Sequence, residues 1–280
     1  MKESLLDALI DTLKILPFLF LTFLLLELVE HKMNKKSEKI LTNNKKYGVL
    51  AGGLLGAIPQ CGFSTMAANL FSNRVITIGT LIAVFLSSSD EMLPIMLSHK
   101  TNTLTILTII GFKVIIGIII GFIVDLILKN KESKIKNNIH EMCDNEHCHC
   151  KEDGILISGL KHSLKIALFI LIANILINII IFFIGEDKIS NLLLNKNIIT
   201  YFISSLIGLI PNCASSVIIT ELYLSKLISI GTLLSGLLTG SGLGILILFK
   251  TNKDIKENLT ILSIIYFVGV IVGLLVDLFI

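Results

Sequence analysis

The chain has 280 residues, of which 53% are hydrophobic and 16% charged, with a net charge of +3 and a mean hydropathy of +0.85. This composition excludes an ordinary soluble domain. It also argues against a nucleic-acid binder, because the small positive excess sits in lysine-rich loops and no basic stripe with interleaved aromatics occurs.

Eight apolar blocks follow one another, at about 5–29, 47–71, 75–98, 103–128, 155–184, 198–222, 227–249 and 259–280. Runs of roughly 20 apolar residues match a hydrocarbon core about 30 Å thick. Only helices satisfy their own backbone segment by segment in lipid, so the spans are predicted to be helical. The first run is long for a signal peptide and no small-x-small cleavage site follows it, so a retained helix is expected there.

The second block carries Ile58-Pro59-Gln60-Cys61-Gly62-Phe63-Ser64 in its middle, and the sixth carries Ile210-Pro211-Asn212-Cys213-Ala214-Ser215-Ser216. Residue i recurs at i + 152: Cys61 maps to Cys213, Gly79-Thr80-Leu81 to Gly231-Thr232-Leu233, and Gly117, Gly121 and Asp125 to Gly269, Gly273 and Asp277. A repeat over nearly the whole chain is a common transporter design. It divides the chain into a first membrane repeat, 1–128, a Cys/His-rich linker, 129–154, and a second membrane repeat, 155–280.

Lysines orient the repeats, because short cytoplasmic loops collect them. Loop 31–46 holds Lys32, Lys35, Lys36, Lys39, Lys45 and Lys46, whereas its partner near 185–197 offsets Lys188 and Lys196 with Glu186 and Asp187. Loop 98–103 has only Lys100, whereas 250–257 has Lys250, Lys253 and Lys256. Equivalent loops thus fall on opposite sides, with the 129–154 linker cytoplasmic. Inversion needs an odd number of crossings per half. Proline removes a helix hydrogen bond, so broken or re-entrant helices at Pro59 and Pro211 would raise the count to five hydrophobic segments per half. The expected fold is an all-α polytopic membrane protein of two inverted repeats.

The paired breaks are candidate substrate positions. Gln60, Cys61 and Ser64 with Asn212, Cys213 and Ser216 supply amides, thiols, hydroxyls and freed half-helix ends able to hold an ion. Asp90 and Glu91 lie inside the block 75–98, and acids at membrane depth usually line an ion path. Their twins, Gly242 and Leu243, are uncharged. Asp125 and Asp277 read as interfacial helix ends. Lys113 is deeper, placed to meet an acid such as Asp90 or to snorkel. In the linker, His140, Cys143, His147, Cys148, His149 and Cys150 offer thiolate and imidazole ligands suited to a soft metal, without the spacing of a structural zinc motif. The five cysteines argue against a disulfide framework.

With these motifs the chain resembles the ten-span heavy-metal exporter family, also labelled arsenic efflux or manganese transporter proteins. The resemblance implies efflux of a metal or metalloid from the cytoplasm. The expectation is a multi-pass protein of the cytoplasmic membrane whose partners are lipid and the transported ion, with a homodimer left open. No resident cofactor is expected. The Walker sequence is absent, so a proton or other ion gradient is expected to drive it. Thiols favour arsenite or a soft metal, and carboxylates favour manganese. No His-Glu-x-x-His, Gly-x-Ser-x-Gly or Cys-x-x-Cys motif is there to make an enzyme. The rival readings are a carrier for a small organic solute and a metal-sensing or partner subunit working through residues 140–150.

Overall fold

The computed structural model describes residues 45–58, 61–89, 92–128 and 198–279, with scattered positions between 16 and 20 and between 160 and 193. The blocks 5–29 and 155–184 otherwise fall outside the described residues, as do Pro59, Gln60, Asp90, Glu91, the linker with its His140–Cys150 ligands, and the side chains of Cys61 and Cys213. The regular elements among the described residues are all α-helices. In the first half they are α1 Lys45–Gly56, α2 Cys61–Ser72, α3 Ile78–Ser87, α4 Met92–Ser98 and α5 Thr103–Leu128. In the second half they are α6 Ile199–Gly208, α7 Cys213–Leu224, α8 Ile230–Thr239, α9 Gly244–Thr251 and α10 Ile255–Phe279. From α2 to α4 the starts recur 152 residues later, at α7 to α9, as do the ends of α2 and α3, while α9 runs one residue further than α4. Arg74 and Lys226 close α2 and α7 in the left-handed conformation, with φ of 60° and 59°.

Four stretches are long and apolar enough to cross a membrane: Ile78–Ser98, Thr103–Leu128, Ile230–Thr251 and Ile255–Phe279. They divide into two kinds. The first and third contain the α3–α4 and α8–α9 discontinuities and are 75% and 78% buried; the continuous α5 and α10 are each only 28% buried. Interrupted helices therefore form the centre and uninterrupted ones the outside. Along α5, Leu104, Leu107, Ile115 and Leu126 are exposed, and along α10 Leu259, Phe267, Ile271 and Leu278. An apolar face of that extent is stable against acyl chains rather than water. By contrast α1 and α2, at 12 residues each, are roughly 18 Å long at the usual helical rise, too short to cross alone.

Lipid is as apolar as leucine, so helices associate there through close approach of small residues. On α3 and α5, Gly79 and Ala83 face Gly121 and Gly117: a Cβ built on Gly117 would lie 2.9 Å from the Ala83 carbonyl, and one on Gly121 2.6 Å from that of Gly79. On α8 and α10, a Cβ on Gly273 would lie 2.5 Å from the Gly231 carbonyl. The α1 glycines, Gly48, Gly52 and Gly56, meet Thr80, Val84 and Ser87 of α3. In the second half this stripe reads Thr200, Ser204 and Gly208. There Ser204 donates to the Thr232 carbonyl at 2.8 Å, and α8 has Gly236 where α3 has Val84.

Carboxylates lock these pairs. Thr77 and Ser229 are the N-caps of α3 and α8, accepting from the amides of Thr80 and Thr232. Asp125 then accepts from the Thr77 hydroxyl and the Gly79 amide, both at 2.7 Å. Asp277 accepts from the Ser229 hydroxyl and from the Gly231 amide at 2.8 Å. It also accepts from the Tyr201 hydroxyl at 2.8 Å. An acid at a helix N-terminus satisfies orphan amides and complements the helix dipole. Asp125 and Asp277 thus tie the last full turns of α5 and α10 to the start of each buried half-helix.

Between halves the contacts are reciprocal. α2 packs on α9, its counterpart α7 packs on α4, and α3 meets its own counterpart α8. At the far ends of these pairs, Ser72 and Thr251 hydroxyls lie 2.6 Å apart, Arg74 pairs with Glu257 at 2.8 Å, and His99 meets Glu221 at 3.1 Å. Contact of i with j matched by contact of j with i is the signature of a two-fold relation.

Candidate functional site

Cys61 and Cys213 are the first residues of α2 and α7. Before α7 the helix α6 has ended, and Leu209, Ile210, Pro211 and Asn212 form the connection. Asn212 is extended, with φ −147° and ψ 146°, and its side-chain carbonyl accepts from the Ala214 amide at 3.1 Å. It is therefore the N-cap of α7, and asparagine is among the best residues for that position. Ser215 donates back to the Asn212 carbonyl at 2.8 Å. Ser64 and Ser216 sit three residues after the cysteines, on the same helix face; Ser64 is buried and Ser216 half-buried.

The described residues beside each break meet the other half as well as their own. Asn212, Ser215 and Ser216 line a small cavity together with Gly240 and Gly242, and its far wall is Ser88, Ser89 and Met92 of the first half. At about 10 Å³ the cavity has room for roughly one water. From Ser89 the chain runs directly into Asp90 and Glu91, whose placement lies outside the described residues. On the opposite side, Ser64 abuts α9: a Cβ on Gly244 would be 2.9 Å from the Ser64 carbonyl and 2.7 Å from the Phe85 ring. Near it the fully buried Ser241 hydroxyl has no hydrogen-bond partner. The sequence named both the proline breaks and the Ser87–Glu91 run, but nothing in it said that each break would meet the other half's interruption.

Lys113 reaches toward both halves. It lies midway along α5 and is 0% exposed, so it does not snorkel. Its ammonium donates to the Ser88 carbonyl, which caps the C-terminus of α3, and to the Leu237 carbonyl near the C-terminus of α8, the latter at 2.8 Å. Two helix C-termini present partial negative charge, which favours a cation there. Ser88 and Leu237 both line the cavity. The equivalent residue of the second half, Ile265, is apolar and equally buried.

Asp125 and Asp277, read from sequence as interfacial ends, serve as the cap ties described above. No cluster of three His, Cys, Asp or Glu side chains occurs among the described residues.

The family described as "Putative, 10TM heavy-metal exporter" matches residues 1–202 and 182–280, which together cover the chain. No curated protein matches it, and no solved structure does.

Proposed function

Because the chain belongs to the ten-span heavy-metal exporter family, and is a multi-pass membrane protein, we propose that it is a secondary-active transporter that exports a metal or metalloid ion across the cytoplasmic membrane by alternating access. One observation carries this reading: a small polar cavity lies between the halves, walled by Asn212, Ser215 and Ser216 beside the break of one and by Ser88 and Ser89 at the interruption of the other. A cavity on a seam opens when the seam moves, and a site near discontinuous helices is the usual transporter arrangement.

The halves are read as inverted. Their reciprocal contacts call for a two-fold axis. An axis in the membrane plane turns one copy over, whereas an axis along the normal does not. Equivalent loops differ in lysine content in the sense that inversion requires, and Arg74 adds to the positive cluster of Lys250, Lys253 and Lys256 through its bond to Glu257. That end is assigned to the cytoplasm.

In this reading Cys61 and Cys213 are the soft ligands, Gln60, Asn212, Ser64 and Ser216 supply oxygen and amide contacts, and Asp90 and Glu91 supply charge. Arsenite needs the thiols; manganese needs the carboxylates. The linker residues His140, Cys143, His147, Cys148, His149 and Cys150 gather metal on the cytoplasmic side without forming the transport site. The test is resistance conferred on a metal-sensitised host, with arsenite, manganese and zinc assayed in parallel. Cys61→Ser and Cys213→Ser should each abolish arsenite resistance. Unchanged resistance in both would remove the thiols from the site, and no resistance to any of the three ions would remove metal export itself.

A further inference from the structure

We propose that Lys113 is a tethered, proton-releasing cation that clamps the two halves together at the cavity, so that transport is coupled to protons through this one residue. The inference rests on the transporter reading above, but the clamp itself can be measured without a substrate.

The ammonium joins parts that must separate. Ser88 belongs to its own half and Leu237 to the other, and both carbonyls lie at the C-terminal end of a buried half-helix. Such ends are where a transporter can hold a coupling cation. Here a side chain of the protein fills the position, and it differs from a bound metal ion because it can lose its charge. Lysine can release a proton, which arginine cannot. The N–H bond breaks with its electron pair kept by Nζ, and the proton passes to water on the side to which the cavity opens. The neutral amine is held less strongly by the two helix ends, so the seam loosens. The amine takes a proton from the other side to complete the cycle, and the proton gradient is the driver. Ile265 stands at the equivalent position, so the second repeat does not duplicate this group.

Among the described residues, the helices packed around Lys113 carry few ionisable groups. Helices α3, α4 and α8 contain no ionisable residue. On α1, the ionisable Lys45, Lys46 and Tyr47 lie at the opposite end from Gly56, which is the end that meets Ser87. On α5 itself Asp125 lies twelve residues away, engaged with Thr77 and Gly79. On α7, Cys213 opens the helix next to the cavity-lining Asn212, its side chain outside the described residues, while Glu221, beside His99, and Tyr223 are near the far end. Asp90 and Glu91 lie outside the described residues.

The test uses the full chain in liposomes with its five native cysteines replaced by serine and Ser216→Cys as a reporter inside the cavity. Labelling by a membrane-impermeant maleimide, corrected for the thiolate fraction with a free-thiol control, should rise at least tenfold as pH is raised through the lysine titration. With Lys113→Met it should be fast at every pH, and with Lys113→Arg slow at every pH. Size-exclusion profiles identify variants that fold, and the Arg variant keeps the charge should the Met variant fail. Labelling that does not respond to pH with Lys113 present, or responds equally with Met or Arg there, overturns the clamp. In the native-cysteine chain, a trapped pH dye should report proton movement on adding arsenite or Mn²⁺, and this movement should vanish in Lys113→Met while the ion still runs downhill. If neither ion moves but labelling behaves as described, the metal-export reading fails and the clamp stands.

Discussion

Asp125 and Asp277 do the same work in the two halves, whereas Lys113 and Ile265, twelve residues earlier on the same helices, do not. The aspartates bind the N-cap hydroxyl and a glycine amide of a buried half-helix in both copies. The lysine reaches across the seam, and the isoleucine packs in an apolar core. The aspartate ties inside each half are duplicated; the groups that meet at the cavity between the halves have diverged. The interruption reads Ser88-Ser89-Asp90-Glu91 in one copy and Gly240-Ser241-Gly242-Leu243 in the other. Duplication supplies a scaffold twice, and the chemistry is then placed where the copies meet and need not match.

The sharpest way to break this comparison is at the glycines. Gly79→Ala and Gly231→Ala each push a methyl onto a backbone carbonyl, of Gly121 and Gly273 respectively. Neither carbonyl can rotate away, so each variant should lose about 3 kcal/mol, the upper end of overpacking costs. Thermal unfolding in detergent checks this, and one copy tolerating the change would show that the helix crossings are not equivalent.

The aspartates come next. Asp125→Ala removes the acceptor of the Gly79 amide and the shorter of the Thr77 hydroxyl's contacts with Asp125 and Thr80, and should cost about 2 kcal/mol. Asp277→Ala also strands Tyr201, and about 3 kcal/mol is expected. Adding Tyr201→Phe should erase the difference. Equal losses without it would mean the tyrosine contributes nothing.

A smaller effect tests compensation. Val84→Gly should cost about 2 kcal/mol by leaving a void. Adding Gly52→Ser rebuilds the second half's pairing of Ser204 with Gly236, and a double-mutant cycle should return about 1 kcal/mol of favourable coupling. Additive losses would make the resemblance of the two interfaces accidental.

The smallest effect belongs to Arg74–Glu257, whose side chains are 38% and 18% exposed. Arg74→Ala should cost about 0.5 kcal/mol and lose that effect in high salt, as exposed ion pairs do. A larger, salt-independent loss would move this pair from the rim to the centre of the seam.

The repeat was legible because a 152-residue register leaves matching letters at Cys61 and Cys213, Gly117 and Gly269, Asp125 and Asp277. The helical membrane class followed from the length of the apolar runs. The roles were harder. Asp125 was visible as a helix end, but its partners are 48 and 46 residues back, and no local pattern links them. For Lys113 one acceptor is 25 residues away and the other 124. A lone lysine in an apolar run looks the same whether it snorkels or bridges. The pairing of each break with the opposite interruption arises from packing between halves, which periodicity does not encode.

The reciprocal seam has a consequence for a single repeat. A surface on which α2 meets α9 and α7 meets α4 is complementary to its own copy, so one repeat carries both sides of the joint. Two polypeptides cut within residues 129–154 should find each other without the covalent link.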